Sequence, residues 1–338
     1  MTDIDTLSPN DLKQSLEGQL RPKSLKDYIG QQRIVQSLQL FIDAVLNRGS
    51  VAEHILLYGP PGIGKTTLAH ILAQELKGEL KITSGPAIEK TGDLAAILTN
   101  LQDNDVLFID EIHRMPKAVE EAMYPVMEEY CLDIVIGKGP SARIVRLPVP
   151  KITIIGATTR IAMLSSPLRD RFGMILRLDY YNDEEMLEII LRSSQILNLP
   201  IEKEAAAHIA RRARKTPRIG NRILKRARDL FEVEKHKNID IQVVERLFKI
   251  LAIDEVGLTN TDRDYLKVII DRFNGGPVGL STLSTSLSED PQTIEDFIEP
   301  YLIQMGFIQK TPKGRTVTAK AYTHLKIMKK EDGQQKLV

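Results

Sequence analysis

Between Leu20 and Lys151 the chain alternates short, β-rich apolar runs with stretches of helical spacing, the pattern of strand-helix-strand units on a parallel sheet. The runs are HILLYG (His54 to Gly59), KITS (Lys81 to Ser84), VLFID (Val106 to Asp110) and ITIIGATT (Ile152 to Thr159). Strands this continuously apolar are covered on both faces, so they predict a three-layer α/β sandwich. The strand signal stops after Tyr181, and helical spacing with few glycines fills Asp183 to about Ala252. A third segment begins near Leu258 with two helices, TNTDRDYLKVIIDRF and PQTIEDFIEPYLIQMGF. Then FIQKTPKGRTVT reads as two short strands around a Lys-Gly turn. Helices followed by a small hairpin predict a winged helix. The expected division is a loose or weakly helical leader over 1–19, a large α/β domain over 20–182, a small all-helical domain over 183–255 and a winged-helix domain over 256–338.

The chemistry sits where the strands end. GPPGIGKTT, Gly59 to Thr67, fits the phosphate-loop pattern and lies between an apolar strand and the amphipathic helix LAHILAQEL. Gly62 and Gly64 let backbone N–H groups turn inward around phosphate oxygens, where a Cβ would obstruct. Lys65 then reaches the β- and γ-phosphates of ATP, Thr66 offers a hydroxyl to Mg²⁺, and Thr67 follows on the helix whose positive end faces the phosphates. VLFIDEIHR ends a buried strand in two acids: Asp110 to hold Mg²⁺ through water, and Glu111 to polarise the attacking water. Thr159, at the end of IIGATT, stands where a polar group can hold the water or the γ-phosphate opposite Glu111. The tight loop SSPLRDRFG offers Arg169 and Arg171. Of the two, Arg171 is expected to act as an arginine finger on a neighbouring subunit's nucleotide. In TPRIGNRILKRARD, Pro217 sets Arg218 rigidly at a helix start, from which it can reach the γ-phosphate.

Composition narrows the class. A length of 338 residues exceeds what one core organises, and 42% hydrophobic with 27% charged residues excludes a disordered or fibrous chain. Forty-six Lys and Arg against forty-five Asp and Glu leave a net charge of +1, so any nucleic-acid contact must be local. Such a patch exists: Lys310, Lys313, Arg315, Lys320, Lys326, Lys329 and Lys330 run with no acid among them. The tip KTPKGR focuses three of them, and Lys310, Lys313 and Arg315 are expected to neutralise DNA phosphates without reading sequence. Upstream, LDIVIGKGPSARIVRLPV reads as a β-hairpin whose Ile134, Ile136 and Ile144 form an apolar docking surface. The single cysteine, Cys131, excludes a disulfide framework and reads as a small buried hydrophobe. The acidic start MTDIDTLSPNDLK lacks the features of a signal peptide, and no apolar run approaches a membrane span. A cytoplasmic, non-membrane protein is expected.

With these motifs in order, the chain resembles the AAA+ ATPases and, more narrowly, the RuvB family of Holliday-junction branch-migration motors. LRPKSLKDYIGQ, GPPGIGKTTLA, GDLAAILTNL before LFIDEIHR, the SPLRDRFG loop, TPRIGNR and GFIQKTPKGRTVTAKAY carry the resemblance over nearly the whole chain. It implies an AAA+ parallel-sheet sandwich with a helical lid, and an ATP hydrolase that drives branch migration in homologous recombination and DNA repair. It also implies a hexameric ring, docking of the hairpin on a RuvA-like junction-binding protein and cooperation with a RuvC-like resolvase. Leu20 and Arg21 would border the adenine, Tyr181 would touch the nucleotide, and Arg218 would be the second sensor. Three positions depart from the commonest pattern: Ile63 for leucine, Gly220 for alanine and Lys310 for arginine. Lysine keeps the charge but gives up bidentate phosphate geometry. A clamp-loader or replication-initiator ATPase would share the nucleotide motifs and sometimes the winged helix. A protein-remodelling unfoldase would carry an aromatic pore loop and have no obvious use for a winged domain.

Overall fold

A computed structural model describes residues 16–136 and 143–328, so the expectations for the leader up to residue 15 and for Lys329 and Lys330 lie outside the described residues, as does the side chain of Ile136. The chain packs into two compact units, one running to Pro200 and including Lys215–Arg222, the other comprising Ile201–Arg214 and the chain from Ile223 onward.

In the first unit five parallel strands form one sheet: β1 (Ile55–Tyr58), β2 (Leu80–Ser84), β3 (Val106–Asp110), β6 (Thr153–Thr158) and β7 (Met174–Arg177). Their spatial order is β2-β3-β6-β1-β7. β6 is buried along its whole length and β3 up to Ile109, as their unbroken apolar runs require. Each Val, Leu or Ile so covered contributes roughly 1.5–3 kcal/mol. The main helices of the unit are α1 (Gln32–Arg48), α2 (Lys65–Glu75), α3 (Thr91–Leu98), α4 (Lys117–Glu129) and α5 (Asp183–Ile196). Leu94 and Leu98 of α3 and Val119, Met123 and Val126 of α4 share a core cluster with Leu107 and Ile109 of β3 and Phe172. His54, just before β1, ties that core to the sheet. Its Nδ1 accepts from Ile154 N–H at 2.9 Å, and its Nε2 lies 3.0 Å from the carbonyl of Met127. Burial lowers its pKa, so the ring is neutral with its proton on Nε2.

Between β3 and β6 the chain makes the expected hairpin, β4 (Cys131–Ile136) with β5 (Arg143–Pro148), and Cys131 is buried. Ile134 pairs with Val145, and Val135 pairs with Ile144. Cross-strand partners share a face and neighbours alternate, so Ile134 and Ile144 lie on opposite faces of the ribbon. Ile134 packs against the core cluster, whereas Ile144 is 71% exposed. The expected shared docking surface is therefore corrected: Ile134 belongs to the core side and Ile144 to the open side.

In the second unit α6 (Lys203–Arg212) and α8 (Ile241–Leu251) carry buried apolar stripes. α7 (Pro217–Glu234), whose residues up to Arg222 belong to the first unit, starts at its proline, as predicted. The winged segment opens with α9 (Asn260–Phe273), whose capping box is built by Thr259 and Asp262. α10 (Leu280–Leu287) follows. The stretch predicted as one helix from Pro291 is interrupted: a turn at Pro291–Thr293, a π-helical turn at Ile294–Ile298, then α11 (Glu299–Gln304). Pro300 has no N–H for an α-helical bond to the Asp296 carbonyl, and the wider turn absorbs that defect. β8 (Ile308–Thr311) and β9 (Gly314–Val317) form the antiparallel wing, and α12 (Ala319–Leu325) closes the segment. Gly314 has φ +133°, and a Cβ there would meet the Val278 carbonyl oxygen at 2.4 Å, so glycine is needed where the wing crosses Val278. This parallel-sheet sandwich followed by helices and a winged helix is the predicted fold class. Among the described residues no helix is long and apolar enough to cross a membrane.

Candidate nucleotide site and DNA-binding wing

β1 ends at Tyr58 and α2 begins at Lys65, so the phosphate loop lies at the carboxyl end of the sheet. Gly62 and Gly64 have φ +77° and +104°. A Cβ on Gly62 would come 2.9 Å from Thr216 Cγ2, and one on Gly64 would come 2.7 Å from Tyr28 Oη. The loop is thus a close cradle that side chains would fill. Lys65 is buried, and its Nζ donates to the carbonyls of Gly59 and Pro60 at 2.9 and 2.8 Å. Burial pulls its pKa down to about 8, opposed by the nearby carboxylates of Asp110 and Glu111. A buried ammonium held only by neutral carbonyls, beside the N-terminus of α2, suits a phosphate group. Thr66 and Thr67 occupy the first turn of α2, half-buried.

Asp110 closes β3, and its Oδ1 accepts from Glu111 N–H at 3.0 Å. Asp110 and the Thr66 hydroxyl are oxygen donors suited to Mg²⁺, which typically binds one or two protein oxygens together with substrate phosphates and water. Among the described residues no cluster of three His, Cys, Asp or Glu could hold a metal unaided. Glu111 itself has left-handed backbone, φ 48° and ψ 40°, fixed by Arg114 N–H on its carbonyl at 2.8 Å. A Cβ on Gly85 would meet that same carbonyl oxygen at 2.4 Å. Next in the turn, His113 reaches from the Glu111 carboxylate, 3.5 Å away, to Thr158 Oγ1, 2.8 Å away. Thr159 follows Thr158 at the end of β6, half-buried.

Two of the expected nucleotide-side residues, Tyr181 and Arg218, meet the same loop. Tyr181 Oη donates to the Ile63 carbonyl at 3.1 Å and lies 3.2 Å from Tyr28 Oη. Desolvation raises both phenols, that of Tyr28 to about 12, so both stay protonated. Arg218 opens α7 exposed, and its backbone N–H donates to the Gly62 carbonyl at 3.3 Å. Leu20 is buried and its carbonyl accepts from Arg192 at 3.0 Å, while Arg21 Nη1 lies 2.6 Å from His70 Nε2. Tyr28 and His113 were missed. Nothing in the hydrophobic pattern marks Tyr28, whereas His113 stands in the quoted IDEIHR, two residues past the glutamate.

Arg169 and Arg171 are placed elsewhere. β7 starts at Met174, paired with Ile55 at the start of β1, so the loop carrying both arginines meets the sheet at its amino end. Arg171 Nη1 donates to the Pro167 carbonyl at 2.7 Å and Nη2 to Glu128 at 3.2 Å. Phe172 anchors the loop in the core.

The wing differs from expectation in one respect. Arg315 is not an open phosphate contact: its Nε is 2.8 Å from Glu299, which has no exposed surface, and its Nη2 is 2.9 Å from Glu295. Lys310 shares both acids, at 2.7 Å from Glu299 and 3.2 Å from Glu295, but stays 43% exposed. Lys313 at the turn is exposed and makes no ion pair among the described residues. The sequence shows no acids within the wing; those that engage it come from the preceding helix.

Family models match the chain in three consecutive stretches: the Holliday junction DNA helicase RuvB P-loop domain over 20–178, the RuvB AAA lid domain over 181–254 and the RuvB C-terminal winged helix domain over 255–326. A solved structure of the RuvB Holliday junction branch migration motor of Thermotoga maritima is 48% identical, with TM-score 0.83, over 92% of this chain and 99% of that one. A single-substitution mutant of RuvB from the same organism gives 48% and 0.84 over 91% and 99%. Phosphate loop, acid pair, lid and wing thus recur in one order along one chain, and the chain belongs to the RuvB family.

Proposed function

We propose that this chain is an ATP-driven motor that moves the branch point of Holliday junctions, working as a hexameric ring with a RuvA-like junction-binding protein and upstream of a RuvC-like resolvase. The observation that carries it is the joining of a complete phosphate loop and acid pair to a basic wing within a chain of RuvB family order. Lys65 and the α2 N-terminus bind the phosphates; Thr66 and, through water, Asp110 would hold Mg²⁺, which when bound neutralises phosphate charge. Glu111 orients the attacking water, with Thr159 facing it. Leu20, Arg21, Thr67 and Tyr181 border the nucleotide, Arg218 couples its state to the lid, and Arg169 and Arg171 serve the neighbouring subunit's site. Lys310 and Lys313 meet the DNA backbone.

The roles of the loop lysine and the acid separate experimentally. Lys65→Ala should lose nucleotide affinity, whereas Glu111→Gln should bind ATP normally and fail to turn it over. A Glu111→Gln protein with near-normal ATPase would remove the assignment.

A further inference from the structure

His113 is not explained by packing alone. Its side chain is 4% exposed, yet both ring nitrogens face polar groups: Nδ1 lies 2.8 Å from Thr158 Oγ1, and Nε2 lies 3.5 Å from the Glu111 carboxylate. Thr158 has no exposed surface, and its Oγ1 already accepts from Arg160 N–H at 3.0 Å. A buried hydroxyl proton must find an acceptor. The acceptor in place is Nδ1, which must then be unprotonated, leaving the ring's proton on Nε2, toward Glu111. The backbone supports the same arrangement. Glu111 sits in the left-handed region, pinned by Arg114 and crowded by Gly85, so its main chain is fixed and its side chain is the remaining freedom.

We infer that His113 is a positioning residue: its Nε2–H steers the Glu111 carboxylate toward the attacking water, and Thr158 sets the tautomer that makes this possible. Because Thr158 directly precedes Thr159, the two residues facing the water are joined through one imidazole to the end of β6. The proposal rests on the reading of Glu111 as the group that orients the water. It predicts a loss in turnover and not in nucleotide binding, since His113 touches the acid and not the phosphate loop.

The test uses the full-length protein. In ¹⁵N-histidine spectra, the signal lost in His113→Ala should report a neutral ring protonated on Nε2 near neutral pH; a ring protonated on Nδ1, or on both nitrogens, overturns the proposal whatever Glu111 does. In ATPase assays His113→Ala should lower kcat about 10- to 100-fold. The ATP dissociation constant should stay within about twofold. His113→Gln, which returns an N–H donor near the Nε2 position, should recover most of kcat. Thr158→Val should lower kcat less and add nothing in the His113→Ala background. If His113→Ala keeps wild-type kcat while Glu111→Gln is dead, the positioning role falls and the reading of Glu111 stands. If Glu111→Gln itself turns over, both fall. Should His113→Ala fail to fold, the signal lost in His113→Gln identifies the ring instead, and its tautomer with the Thr158→Val effect decides.

Discussion

The guanidinium of Arg171 stacks on the ring of Tyr124, its Cζ 4.3 Å from the ring centroid. With Glu128 one helical turn further along α4, the pair forms a seat that fixes the arginine at the amino end of the sheet. The phosphate loop leaves the carboxyl end, and the four residues of β1 alone separate the two ends by about 10 Å. A cis role would require Arg171 to cross the sheet.

This placement supports the proposed action in trans. Arg171→Ala should bind ATP normally and lose roughly 10³-fold in turnover. Mixing it with Lys65→Ala subunits should restore ATPase, because a mixed ring can pair an intact arginine with an intact phosphate loop. Mixtures that exchange subunits and stay as inactive as either parent would contradict it, once dilution of each mutant into wild type has excluded poisoning of the ring.

Arg315 and Lys313 should fail in different ways. Removing Arg315 leaves Glu299 buried with Lys310 as its one remaining cation among the described residues, so Arg315→Ala should destabilise the winged segment by roughly 3 kcal/mol in denaturant melts. Lys313→Ala should leave the melt unchanged, weaken binding equally across DNA sequences and reduce the salt slope by about 1. An Arg315→Ala protein of normal stability would return that residue to the DNA surface.

The same pair sets an acid limit. Burial alone would raise the Glu299 pKa, but hydrogen bonds from Arg315 and Lys310 outweigh it and hold the carboxyl below its usual value. A depressed carboxylate stabilises the fold above the unfolded pKa, near 4.5, and loses that contribution as pH falls through the folded value. Stability should therefore decline below about pH 4.5. In Glu299→Gln the decline should be shallower. Parallel pH curves for the two proteins would contradict this.

On the β4–β5 hairpin, Ile144→Asp should abolish stimulation by a junction-binding partner and spare basal ATPase, whereas Ile134→Asp should lower the melting temperature by burying a charge against the core. Equal effects of the two on basal activity would place both residues on one face.

Much of this was legible in the chain because it is local. Gly62, Gly64 and Lys65 sit within four residues, and the apolar runs of β3 and β6 announce burial on both faces. What the chain hid depends on long-range pairing. Arg315 looked like a free cation until Glu299, sixteen residues earlier, was placed beneath it. Ile134 and Ile144 looked equivalent until the register set them on opposite faces. His113 stood in plain view, but Thr158, forty-five residues away, gives it meaning.

ATP turnover at Lys65 and Glu111 is proposed to move a DNA branch point. The direct measurement is branch migration of a synthetic four-way junction by the full-length protein, with a RuvA-like protein present and ATP added or withheld. The junction should dissociate into duplex products with ATP, and should stay intact without it or with Glu111→Gln. Migration by Glu111→Gln at the wild-type rate, or ATP hydrolysis with no movement of the junction, would contradict it.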